Sequence, residues 1–102
     1  MRVRPDSIAD GLSAPFAGEH CIAIAQDKVD DVVLVTEDEI REGMRYLYQR
    51  AKLACEAAGA VPTAAVLAGT VHLKPGSAVV SVVSGGNVAP RTASGILDPD
   101  ES

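Results

Sequence analysis

The chain is poor in large aromatic side chains. It has no tryptophan, and Phe16, Tyr46 and Tyr48 are its whole aromatic content in 102 residues. Hydrophobic residues still reach 47 %, but most are alanine and valine, so each buried residue removes little apolar area from water. At about 25 cal/mol per Å², a core of such side chains leaves a narrow margin over chain entropy. The composition points to a domain that needs more protein around it. Cysteine is scarce too: Cys21 and Cys55 are too few for a disulfide framework and read as reduced thiols of a cytoplasmic protein. No Lys/Arg cluster lies beyond Met1–Arg4, and the net charge of −5 with a pI near 4.8 argues against a nucleic-acid partner. Met1–Arg4 runs into Pro5–Gly11 rather than an apolar stretch, so no signal peptide is expected. The longest apolar stretch, Ala57–Val71, is interrupted by Gly59, Pro62 and Gly69, which argues against a membrane span. His20 and His72 show no metal-ligand spacing with the cysteines, and neither stands in a nucleophile triad, so no metal site is expected.

What is present has a clear order. Ser7 can cap a short helical turn that Gly11 stops. Glu19–Asp27 suits a short helix with Ile22, Ala23 and Ala25 on one face. Val32–Val35 is a run of β-branched residues and leucine, the pattern of a buried strand. Thr36-Glu37-Asp38-Glu39 then fits a capping box, with acids where the helix dipole favours them. Ile40, Met44, Leu47, Tyr48, Ala51 and Ala54 repeat at helical spacing, predicting a helix of roughly 18 residues with one apolar stripe. Gly59 and Pro62 are expected to end it, and Thr63–Gly69 to form a second, shorter helix. Lys74-Pro75-Gly76 is turn chemistry, and Ala78–Val83 reads as a second buried strand. Strand, two helices and strand describe an α/β fold built on a βαβ crossover with parallel strands. Two strands cannot make such a sheet alone. Residues 98–102 form an acidic tail.

Ser84-Gly85-Gly86-Asn87 follows the second strand, at the end where open α/β sheets place their ligands. Paired glycines let backbone approach a flat ligand without interference from Cβ atoms. An ordinary strand-to-loop turn has the same composition, and the glycines alone do not separate the two. Glu56 sits among Ala54, Cys55, Ala57, Ala58 and Gly59, where a buried carboxylate must be paired or protonated and an exposed one is merely a helix-end acid. Asp10-Gly11 reads on its own as a cap and stop, and Lys28, Lys52 and Lys74 as surface residues.

Taken in order, Ser7-Ile8-Ala9-Asp10-Gly11-Leu12, Val29–Val32 running into Val35–Ile40, Glu56-Ala57-Ala58-Gly59-Ala60 and Val82–Asn87 resemble the end of the threonine dehydratase and serine racemase family. The resemblance covers residues 7–97. It implies the carboxyl-terminal part of the large domain of a fold type II pyridoxal-phosphate enzyme, whose cofactor lies between two α/β domains. It also implies a role for each matching residue. Ser84 would hydrogen-bond the pyridine nitrogen, Gly11 and Glu56 would flank the ring, and the Gly85–Gly86 backbone would lie beneath it. The implied activity is a lyase reaction that dehydrates and deaminates L-threonine or L-serine to a 2-oxo acid and ammonia. The complete enzyme would be a cytoplasmic homo-oligomer acting on a small hydroxy amino acid. The family's Schiff-base lysine stands in a Ser-x-Lys-type motif and its phosphate in a Gly-rich loop; neither occurs here, so the chain alone is expected to be inactive. A serine racemase-like enzyme and a non-catalytic binding or regulatory remnant are the alternatives. Where the family often has Glu-Pro-Ser-Gly, this chain has Glu56-Ala57-Ala58-Gly59, a departure that bears on loop rigidity.

Overall fold

Thr36 starts the best-defined element of the chain. In a computed structural model that describes residues 8–9 and 18–98, its hydroxyl accepts from the Glu39 backbone N–H at 3.1 Å. The Glu39 carboxylate in turn accepts from the Thr36 N–H at 2.7 Å. This is the expected capping box. It opens helix α2 (Glu37–Tyr46), which follows a first helix, α1 (Glu19–Lys28). The buried residues of α2 are Ile40, Gly43 and Met44, and Leu47 extends the stripe into a π-helical turn over Leu47–Ala51. Helix α1 buries no residue: Ile22 and Ile24 are both exposed.

The long helix is shorter than its periodicity suggests. Lys52 takes a left-handed conformation (φ 60°), and the Leu53 N–H donates back to the Leu47 carbonyl at 2.9 Å. That geometry satisfies a carbonyl at the helix end, and it leaves Ala51 and Ala54 exposed. Neither Gly59 nor Pro62 ends the helix as expected. Both lie inside helix α3 (Ala57–Leu67), whose termination falls at Ala68–Gly69 instead. Gly69 has φ +73°, and the Thr70 N–H donates to the Ala65 carbonyl at 3.1 Å. Pro62 forfeits one helical hydrogen bond, but it faces outward.

Helices α2 and α3 pack closely because Gly43 offers no Cβ to Ala64: one built there would stand 2.9 Å from the Ala64 Cβ. Met44 and Cys55 are fully buried between the elements, with Ile40, Leu47, Ala57 and Ala60 around them. Helix α4 (Pro90–Leu97) adds Ala93 and Ile96 to this core. The Arg45 Nε donates to the Ile96 carbonyl at 2.5 Å, while its Nη1 pairs with Glu42. The turn at Lys74–Ser77 forms as expected, with Ser77 N–H to Lys74 carbonyl at 3.1 Å and φ +82° at Gly76.

The expected βαβ crossover is not seen. The order apolar segment, α2, α3, apolar segment is present, but no strand ladder forms among the described residues. The physical reason is a lack of partners, since a strand needs a neighbour for its backbone groups. A strand-like alternation nevertheless remains. Val33, Val35, Ser81 and Val83 are half-buried, whereas Val32, Leu34, Val80 and Val82 are 79, 88, 89 and 67 % exposed. Successive side chains thus take opposite sides, as in a sheet with one face covered. Among the described residues, no helix is long and apolar enough to cross a membrane.

Candidate functional site

One face of α3 and the segment carrying Ser84 are fitted together at three points. At the helix start, the Glu56 N–H donates to the Gly85 carbonyl at 3.3 Å. One turn on, Gly59 lies flush against the Ser84 carbonyl, where any Cβ would overlap the oxygen. A further turn on, the Thr63 hydroxyl meets the Ser81 hydroxyl at 2.8 Å. Residues spaced by three and four share one face of a helix, so Glu56, Gly59 and Thr63 form a single row along which Gly85, Ser84 and Ser81 are laid.

Gly85 is the residue that makes the corner. Its φ of +74° suits glycine, and a Cβ there would collide with the Glu56 carboxylate, whose Oε1 occupies that space. Gly86 passes as tightly over the preceding loop, with a built Cβ 3.0 Å from the Ala54 carbonyl oxygen. The Val88 N–H then closes a small turn onto the Gly86 carbonyl at 3.0 Å. Ser84, Gly85, Gly86 and Asn87 are all exposed on the outer side of this corner, and Glu56 is half-buried at its rim.

The loop beneath is held from the core. The Tyr48 hydroxyl donates to the Cys55 carbonyl at 3.3 Å. Burial pushes the Cys55 thiol above its ordinary pKa, and the neighbouring Glu56 charge pushes it further the same way. That thiol is therefore a packing group, kept neutral against Met44, rather than a nucleophile. A groove of about 520 Å³ lies elsewhere, lined by residues such as Glu42, Arg50 and Leu67, and takes in none of the corner residues.

Of the residues singled out from sequence, Glu56, Ser84, Gly85 and Gly86 converge on this corner. Gly11 lies outside the described residues, as does Asp10. Sequence reasoning missed Gly59 and Thr63. Gly59 looked like a helix breaker, and a threonine in an alanine-rich helix carries no motif. Both sit at helical spacing from Glu56, which is the signal that could have found them.

This geometry belongs to a recognisable lineage. The family model for pyridoxal-phosphate dependent enzymes matches residues 1–85. The catabolic L-threonine dehydratase TdcB of Staphylococcus aureus (strain N315) is 45 % identical over 98 residues, covering 93 % of this chain and 28 % of that protein. Among solved structures, the threonine deaminase of T.th. superposes with a TM-score of 0.71 at 32 % identity, over 87 % of this chain and 32 % of that one. The serine racemase of Dictyostelium discoideum gives a TM-score of 0.71 at 33 % identity, over 86 % of this chain and 29 % of that one. The chain thus spans about three-tenths of the length of these relatives, and it belongs to the family of pyridoxal-phosphate dependent enzymes.

Proposed function

We propose that this chain supplies one wall of the cofactor pocket of a lyase that converts L-threonine, and L-serine, to a 2-oxo acid and ammonia. The observation that carries the reading is the exposed corner at Ser84–Gly86, with Glu56 at its rim. It offers an exposed serine beside exposed glycine backbone, which fits a flat heteroaromatic ring bearing an acceptor nitrogen. The Ser84 hydroxyl donates to that nitrogen and, being neutral, leaves it unprotonated. By resemblance, the Gly85–Gly86 backbone lies beneath the ring, with Glu56 and Gly11 flanking it. When bound, pyridoxal phosphate supplies the electron sink that loosens the α-hydrogen and lets the β-hydroxyl depart. The residues of this chain hold and orient the ring, and the lysine and phosphate loop are assigned to other parts of the complete enzyme.

The same reading extends to the fold. Residues 7–97 are the end of a large α/β domain, and residues 98–102 an acidic tail. The segments at Val32–Val35 and Ala78–Val83 become parallel strands once neighbours pair with them; their alternating exposure supports this. The complete enzyme is proposed to be a cytoplasmic homo-oligomer.

The test is a hybrid in which this chain replaces the matching part of the S. aureus dehydratase. The hybrid is expected to bind pyridoxal phosphate and release 2-oxobutanoate and ammonia from L-threonine, while the chain alone releases none. A hybrid that takes up no cofactor overturns the reading, and so does turnover by the isolated chain. The structural likeness to serine racemase makes formation of D-serine from L-serine the measurement for the second reading.

A further inference from the structure

We propose that Thr63 is a positioning residue for the cofactor site: its hydroxyl contact with Ser81 sets the register of the Ser81–Gly85 segment along α3, and so where the Ser84 hydroxyl is presented. The inference rests on the reading of Ser84 as the ring contact.

The segment Val79-Val80-Ser81-Val82-Val83-Ser84 is a tandem repeat, Val-Val-Ser twice. Apolar patterning therefore specifies its register weakly, and a one-residue slip in a strand-like segment turns every side chain to the opposite side. In the observed register Ser81 faces α3 and is half-buried, while Ser84, an odd number of residues along, is exposed at the corner. Slippage by one residue would bring Val80 or Val82 against Thr63 and turn Ser84 toward the helix. A three-residue slip would place Ser84 where Ser81 now sits, and would remove it from the corner altogether.

Thr63 discriminates against the one-residue slips; the three-residue slip keeps a serine opposite it and is opposed instead at the corner, where Val88 would replace Gly85 at φ +74°. Thr63 is the buried polar residue of α3, only 8 % exposed, and its hydroxyl lies 2.8 Å from that of Ser81. Facing valine instead, it would be left buried and unpaired, which is costly in a dry interior. The Gly59 contact and the Glu56 N–H to Gly85 carbonyl bond stop the other end of the segment. Both of those involve backbone, and Gly85 between them adds its own demand for glycine through its positive φ and its contact with the Glu56 carboxylate. The hydroxyl pair is the side-chain-specific point of the three.

The experiment uses the cofactor-loaded hybrid enzyme carrying Thr63→Val, Thr63→Ser, Ser81→Ala or the pair Thr63→Val with Ser81→Ala. Thr63→Val is expected to release cofactor about fivefold faster, the factor that one net hydrogen bond represents, and to shift the emission of the bound cofactor. Thr63→Ser should restore both properties, Ser81→Ala should match Thr63→Val, and the double variant should be no worse than either single one. An emission spectrum and release rate unchanged in Thr63→Val overturn the proposal. A Thr63→Ser enzyme as impaired as Thr63→Val also overturns it, since it would assign Thr63 a packing role alone. If Thr63→Val yields no folded protein, Ser81→Ala decides, because it removes the same contact from the less buried partner. An unmodified hybrid that takes up no cofactor removes the reading of the pocket and this inference with it; a loaded hybrid indifferent to Thr63→Val removes this inference alone.

Discussion

Replacing Gly59 with alanine sets two effects of opposite sign against each other. Helix propensity favours alanine over glycine inside a helix by about 1 kcal/mol, and Gly59 lies in α3. The new Cβ, however, would overlap the Ser84 carbonyl oxygen and lie 3.0 Å from its carbonyl carbon and 3.2 Å from the Gly85 oxygen. Overpacking of this kind typically costs about 1–3 kcal/mol. The upper part of that range applies because the obstacle is backbone. It is held in place by the Glu56–Gly85 bond and the Thr63–Ser81 pair, so it cannot rotate aside as a side chain would. Sterics should win by about 1–2 kcal/mol. Gly95→Ala provides the control, since Gly95 is in α4 with nothing within 4 Å of a built Cβ. There propensity acts alone, and a gain of about 0.5–1 kcal/mol is expected. Urea unfolding of the hybrid enzyme, followed by helical circular dichroism with and without cofactor, compares the two. Gly59→Ala should lower the midpoint and weaken cofactor retention, whereas Gly95→Ala should raise the midpoint and leave retention unchanged. A Gly59→Ala enzyme as stable as Gly95→Ala would refute the close fit of α3 to the Ser84 segment.

The same unfolding measurement checks three further expectations. Thr36→Ala removes the bond that the hydroxyl accepts from the Glu39 N–H, leaving the backbone half of the capping box, and should cost about 1 kcal/mol, with Thr36→Ser recovering most of it; equal losses in the two variants would mean that the hydroxyl is idle. Lys52→Gly relieves a left-handed residue at φ 60° and should stabilise by up to about 1 kcal/mol, which a lowered midpoint would contradict. The raised pKa of Cys55 means that the folded state holds its proton more tightly than the unfolded chain. Its contribution is complete below the ordinary thiol value of 9.0 and declines as pH climbs from there toward the higher folded value. Cys55→Ala should flatten that alkaline decline, and an unaltered slope would show that the thiol does not cause it.

Features that depend on near neighbours were legible in the sequence. The Thr36–Glu39 box involves atoms within one helical turn, and Ile40, Met44 and Leu47 form the buried stripe that their spacing foretold. The turn at Pro75-Gly76 is equally local. The end of the long helix was not legible, because Ala51 and Ala54 continue the apolar period while Lys52 turns left-handed. That turn delivers Cys55 to the core and Glu56 to the start of α3, a demand set by tertiary packing. Helix α4 went unread although Pro90 stands at its first turn, where proline is favoured. At the candidate site, Ser84-Gly85-Gly86 announced itself through its glycines. Gly59 and Thr63 did not, since their importance lies in what faces them.

The two apolar segments differ from both cases, and they tie composition to function. Their sequences read as strands because β-branched residues suit a pleated, covered surface, yet a ladder is a relation between segments and needs a partner at hand. The inner sides of both segments, Val33, Val35, Ser81 and Val83, are half-buried, with Val35 and Val83 packed against the core and Ser81 against Thr63. The outer sides, at Val32, Leu34, Val80 and Val82, remain 67–89 % exposed. Leaving four large apolar side chains in water withholds burial energy that a small alanine and valine core cannot easily spare, at about 1.5–3 kcal/mol for each one fully covered. Covering them and pairing their backbones are therefore one event, supplied by neighbouring strands. Such strands would also fix the Ser84 segment from its free edge, adding to what Thr63 and Gly59 do from the helix side. A pocket wall held from only one side is poorly preorganised, and this is the physical basis for expecting cofactor binding from the hybrid and not from the chain alone.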